Sequence, residues 1–154
     1  MEQRRERLQH FRAVSLLALI LVGLGLLVTQ CPANRDGMPG QLAQSMDETV
    51  TAARSGALAL DMWIQRRSTN QLTSVQLSDA RDEVVKAYKG IAELKAEDPV
   101  DIGRQRMLVE SMTSVITQLN AASATLRSIT KDPPLEKARD DLRAAADALE
   151  SGYR

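Results

Sequence analysis

The chain has 154 residues, no formal net charge at pH 7 and a single cysteine, which leaves room for one domain with appendages and excludes an intramolecular disulfide. Hydrophobic residues make up 44% but aromatics only 3%, a mixture that suits helices packed on small and aliphatic side chains better than a β-sandwich. No basic stripe follows the N-terminal tail, so the electrostatic footprint of a nucleic-acid binder is missing.

The charge that does cluster lies at the start. Arg4, Arg5, Arg7 and Arg12 outweigh Glu2 and Glu6, so residues 1–12 form a basic tail. Ala13 to Gln30 then reads AVSLLALILVGLGLLVTQ, 18 residues without a charge. That is close to the length an α-helix needs to cross a hydrocarbon core. Basic residues before the run predict a cytoplasmic N-terminus, and everything after Cys31 is expected outside the cytoplasmic membrane. An uncleaved signal anchor fits the length best. Cleavage after Ala33, at the small-x-small site Cys31-Pro32-Ala33, and lipidation of Cys31 are the alternatives. Gln30 is bulky and polar where a lipidation signal wants a small residue. In the anchor reading Cys31 is a juxtamembrane thiol, available for an intermolecular disulfide. No ionisable residue lies inside the run, so it predicts an anchor and no ion pathway.

Residues 31–40, CPANRDGMPG, hold two prolines and two glycines and read as a flexible linker. From residue 41 to 154 apolar and small residues recur in steps of three and four, the helical period. The first predicted helix, about 41–67, carries Leu42, Met46, Val50, Ala53, Ala57, Leu60 and Ile64. Thr73, three before Gln76, has the spacing of a capping box, and the second seam is Leu77, Ala80, Val84, Ala87, Ile91 and Leu94. Asp98-Pro99 pairs an N-cap acceptor with a proline at the first helical position and starts the third helix. That helix is expected to reach about Thr130 along Leu108, Met112, Val115, Leu119, Ala122, Leu126 and Ile129. Asp132-Pro133-Pro134 repeats the stop-and-start signal before Leu135, Ala138, Leu142, Ala145 and Leu149, with fraying at Ser151-Gly152.

The expected fold is therefore all-α: a single N-terminal transmembrane helix followed by an antiparallel four-helix bundle. A sustained spacing near 3.5 residues implies coiled-coil-like packing at shallow angles. The many alanine seam positions predict a thin core of modest stability unless the bundle oligomerises.

Candidate chemistry is sparse. The only histidine, His10, falls in the basic tail, so Cys31 has no histidine on its side of the membrane to activate it. Asp79, Asp82 and Glu83 share a helical face and Asp140-Asp141 are adjacent, but lysines and arginines interleave with both groups, as on a solvated face. Gly37 and Gly40 precede no strand–helix unit that would cradle a phosphate. These residues predict no catalytic group, no cofactor and no metal site. Trp63 is a candidate partner contact as well as a boundary residue of the core. Tyr88, Met46, Met107 and Met112 read as packing. Trp63-Ile64-Gln65 lacks the glycine that joins the two helices of small type VII secretion substrates.

A basic tail, one span at Ala13–Gln30 and a helical extracytoplasmic domain together resemble inner-membrane lysis proteins of phages. These include the spanins and the small membrane proteins in lysis cassettes of phages infecting mycolic-acid bacteria. The usage in KARDDLRAAADALE, 137–150, points the same way, toward a GC-rich actinobacterial or phage source. The resemblance implies a non-enzymatic, membrane-anchored interaction or structural protein, an accessory factor in lysis or envelope disruption. Its implied partners are the membrane, another protein and further copies of the chain, with no nucleic acid. Spanin ectodomains are long coiled coils, whereas the proline-marked breaks here predict a folded-back bundle. The alternative is an extracytoplasmic ligand-binding or sensory bundle that modulates a separate membrane partner.

Overall fold

In the computed structural model, residues 37–153 are described. They form four helices, α1 (Met38–Ile64), α2 (Asn70–Ala92), α3 (Pro99–Leu126) and α4 (Leu135–Gly152), and contain no strand. The predicted span Ala13–Gln30, the basic tail and Cys31 lie outside the described residues. Among the described residues, no helix is long and apolar enough to cross a membrane.

The helix ends differ from the expected ones for local reasons. α1 begins at Met38, three residues before the expected start, with Gly37 as its N-cap at φ 90° and Pro39 in the first turn. Proline lacks an N–H that the first turn does not need, so the residue read as a breaker instead opens the helix. α1 stops at Ile64 and not Arg67: Arg66 takes φ 58°, Arg67 N donates to Met62 O at 2.8 Å and Arg66 N to Trp63 O at 2.8 Å. This is a Schellman closure formed on arginine where glycine is usual. The same device ends α3 at Leu126, with Ser128 at φ 59°, Ile129 N donating to Ala124 O and Ser128 N to Thr125 O, both at 2.9 Å. Ile129, expected in the third seam, is consequently turned out of the core and is 71% exposed.

Thr69, and not Thr73, caps α2, its Oγ1 accepting from Leu72 N at 3.2 Å. Thr73 is buried one turn inside, and its hydroxyl shares a 2.8 Å hydrogen bond with the Ser68 hydroxyl. α2 ends at Ala92, short of Leu94, the last residue of its predicted seam. Gln105 of α3 sits against that end: its Nε2 donates to Ile91 O at 2.6 Å, which also accepts from Leu94 N at 3.2 Å, and to Leu94 O at 3.0 Å just beyond the helix. Leu94 still packs half-buried against the core from beyond the helix. Asp98 caps α3 as its sequence predicts, Oδ1 accepting from Val100 N at 2.8 Å ahead of Pro99. Asp132 does not cap α4. Pro134 takes the N-cap position without any side-chain hydrogen bond.

Short turns fold the four helices up and down into a ring in which α1 adjoins α2 and α4, α3 adjoins α2 and α4, and α1 also reaches α3 across the diagonal. The α1–α4 pair is antiparallel: Arg54 meets Asp147 at 2.9 Å and Glu150 at 2.7 Å, while Asp61, further along α1, meets Arg139, earlier on α4, at 3.1 Å. These pairs are exposed or half-exposed and fix register more than stability. The predicted seams meet inside the ring, with Leu42, Leu60, Leu77, Val84, Ile91, Leu108, Met112, Leu119 and Leu142 all buried. α4 departs by one residue: Ala146 is buried and Ala145 only half-buried. Both lie on the inner face, and the extensive α1–α4 contact selects the flank.

α1 buries a wider arc than its predicted seam, adding Ser45, Thr49, Ala52, Gly56 and Ala59, and it packs the most extensively of the four, against α4 and α2 and across to α3. The added positions are small or self-satisfied. Thr49, completely buried, donates its hydroxyl to Ser45 O at 2.7 Å and so leaves no unpaired donor in the core. Gly103, by contrast, sits exposed inside α3 with nothing within 4 Å of an added Cβ. Gly103→Ala is expected to raise stability by about 1 kcal/mol through backbone entropy alone, measured by urea unfolding of the full chain. No gain there would contradict an open helical site.

Candidate functional site

A concavity with a volume near 780 Å³ runs along the outer seam between α1 and α2. Its floor and walls on α1 are small or apolar: Thr51, Ala52, Ser55, Leu58, Ala59 and Met62. These residues recur at three- and four-residue steps, so they form one stripe beside the buried seam. α2 supplies Gln76, Asp79, Ala80 and Glu83 from a single face, which Leu72 extends one turn earlier. Leu58 and Leu72 are 58% and 51% exposed, well above what packing against the core would leave.

Charge is distributed asymmetrically. Asp47 and Glu48 from α1 and Asp79 and Glu83 from α2 line the crease, and among the described residues no lysine or arginine does. Because α1 and α2 run antiparallel from the 65–69 turn, Asp47 and Glu48 face the Glu83 end while Leu58 and Met62 lie toward the turn. The crease is therefore acidic at one end and apolar at the other. A second hollow of 290 Å³ shares Glu48 and continues the same seam past Gln44, Lys86, Gly90 and Leu94. Glu48 accepts a hydrogen bond from Gln44 Nε2 at 2.9 Å, and Glu83 stands 4.0 Å from Lys86.

The residues singled out by the sequence fall elsewhere or play quieter parts. Trp63 packs half-buried against the core, and its indole N–H donates to Asn70 Oδ1, bridging the α1–α2 turn. Tyr88, Met46 and Met107 pack against the core partly buried, and Met112 is completely buried. Asp82 pairs with Arg81 at 2.6 Å, Asp140 with Arg139 at 2.8 Å and Asp141 with Lys137 at 2.6 Å. The Arg139 hydrogen bond holds the Asp140 carboxyl below its usual range. Among the described residues no group of three or more His, Cys, Asp or Glu is arranged to hold a metal ion. Cys31 lies outside them.

Sequence reasoning missed the crease because it followed the seam that packs inward. The available signal was an apolar residue off that seam: Leu58 on the α1 face opposite the predicted contacts and Leu72 on the acidic face of α2. What this surface offers a ligand is apolar contact flanked by carboxylates. No protein family matches the chain, and no curated protein or solved structure shows significant similarity to it.

Proposed function

We propose that this chain is a membrane-anchored interaction module. In this reading residues 13–30 hold it in the cytoplasmic membrane with residues 1–12 inside, and the helical bundle engages a protein partner outside. The observation that carries the reading is the α1–α2 crease, an uncovered apolar surface with an acidic flank on an otherwise well-packed bundle. Work in phage lysis or envelope disruption, as an accessory that binds and assembles, is the process proposed for it on the architectural resemblance.

The test is cell fractionation of the full chain with an intact-mass measurement. Expected are recovery in the membrane fraction through alkaline extraction, cleavage of the bundle by protease added to spheroplasts, and an unprocessed N-terminus. Recovery as a free soluble protein overturns the anchoring, and a diacylglyceryl adduct on Cys31 replaces the span with a lipid tether.

The crease also favours a second reading, a ligand-binding bundle that modulates a separate membrane partner, since 780 Å³ falls within the size range of small-molecule sites. A saturable rise in melting temperature of the full chain with an added small amphiphile supports that reading, and a flat response across a ligand panel counts against it.

A further inference from the structure

We infer that the α1–α2 crease docks a cationic amphipathic helix from a partner protein. The inference deepens the interaction-module reading and rests on it. Shape comes first. The α1 lining extends from Asp47 to Met62, about 22 Å of helix at 1.5 Å per residue, and the adjoining hollow lengthens the same trough toward Gln41. A trough of that form matches three or four turns of helix better than a compact small molecule. The bundle's backbone groups are spent inside its own helices, so an extended peptide would find no strand edge to pair with, which leaves the helix-in-groove mode.

Composition comes second. Thr51, Ala52, Ser55 and Ala59 present little side-chain bulk, so an incoming helix can approach closely, and Leu58 stands as a ridge for its apolar stripe. Charge then selects the occupant. Glu48, Asp79 and Glu83 line the main hollow with no basic side chain among the described residues, so a helix flanked by lysine or arginine is attracted and an acidic one is repelled. A second copy of this chain is a poor occupant for the same reason. A two-fold contact through this face sets Asp79 and Glu83 against their own counterparts.

The experiment uses the full chain in uncharged detergent micelles and a synthetic peptide of about 16 residues, long enough to fill the trough as a helix. The peptide has leucines at helical spacing, lysines on its flanks and one photoreactive side chain. Expected are saturable binding that weakens with salt and crosslinks confined to 47–62 and 72–83. Binding should fall about tenfold in the charge-reversed pair Asp79→Lys/Glu83→Lys and again in Leu58→Asp. All three positions are exposed, and circular dichroism checks that each variant keeps its helices. A scrambled peptide of the same composition and a glutamate-for-lysine version should bind at least tenfold more weakly.

Equal binding of the scrambled peptide, crosslinks on α3 and α4, or indifference to charge reversal overturns the inference. Crosslinking of the chain to its own copies through the crease, with no peptide present, overturns it in favour of self-association. Fractionation reads the anchoring and peptide affinity reads the crease, so either proposal falls without the other.

Discussion

Leu119→Ala is expected to lower the stability of the bundle by about 2–5 kcal/mol. Leu119 is 0% exposed and projects from the C-terminal half of α3 toward α1, where its Cδ2 lies against Gly56. Removing its isobutyl end loses the transfer free energy of the buried carbons and leaves a cavity, which stiff helical neighbours close only in part. A small domain stands only about 5–15 kcal/mol above its unfolded state, so this loss is a large share of the whole. Leu58→Ala is the internal control. Leu58 is 58% exposed on the crease, and its truncation should move stability by no more than about 0.5 kcal/mol. Urea unfolding of the full chain in neutral detergent, followed by helical circular dichroism, measures both. Equal effects at the two leucines would contradict the placement of the core.

Gly56→Ala carries the second large effect and reverses its sign with context. A Cβ at Gly56 would stand 2.6 Å from Leu119 Cδ2, 3.6 Å from Leu142 Cδ1 and 3.7 Å from Leu77 Cδ2, touching one leucine from each of the other three helices. Alanine gains about 1 kcal/mol over glycine in a helix interior. Overpacking costs about 1–3 kcal/mol, and Leu119, completely buried, must shift its Cδ2 within the packed core to admit the new methyl. The clash therefore outweighs the propensity, and Gly56→Ala should destabilise by up to about 2 kcal/mol. In a Leu119→Ala background the obstacle is gone and the new methyl fills part of the cavity, so the same substitution should stabilise. A double-mutant cycle should give a coupling above about 1 kcal/mol. Stabilisation by the same amount in both backgrounds would refute the close approach of α1 to Leu119.

Gly56 and Gly103 illustrate how far the sequence can be read. Both are glycines inside predicted helices; Ala52, Ala53, Ala59 and Leu60 surround Gly56 on its helical face, but the chain does not say which distant residues either glycine would meet. One is held by three leucines from distant segments and the other faces open space. Seam positions such as Leu77, Val84, Leu108 and Leu142 were legible because a helix repeats its inward face every three or four residues, whatever it packs against. Helix ends were less legible. Arg66 and Ser128 adopt left-handed backbone where glycine would have advertised the stop, so Arg67 and Ile129 looked like continuations. Thr69 and Thr73 are equally plausible caps by type. Thr69 takes the role because Thr73 is buried on the face that packs inward.

The candidate site shows the same division. Asp79, Asp82 and Glu83 were visible as an acidic group on one helical face and read as solvated, but that Asp79 and Glu83 would line a concavity depended on the helix set beside them. Trp63 drew notice as the only tryptophan, yet in the fold its indole bridges the α1–α2 turn to Asn70 while packing against the core.

The sequence by itself determined an all-helical class for residues 41–153, the four helices there, most of their inward seam positions and the Asp98-Pro99 start. Those features depend on spacing and capping chemistry, which act within a few residues. Only the tertiary structure decided that α1 would contact all three neighbours, that Gly56 would sit against Leu119 and that Ala146 would displace Ala145 from the core. The same holds for the crease. It exists because ring closure buries one side of α1 and α2 and leaves the Leu58 side uncovered, a result of which helices become neighbours and not of any local pattern.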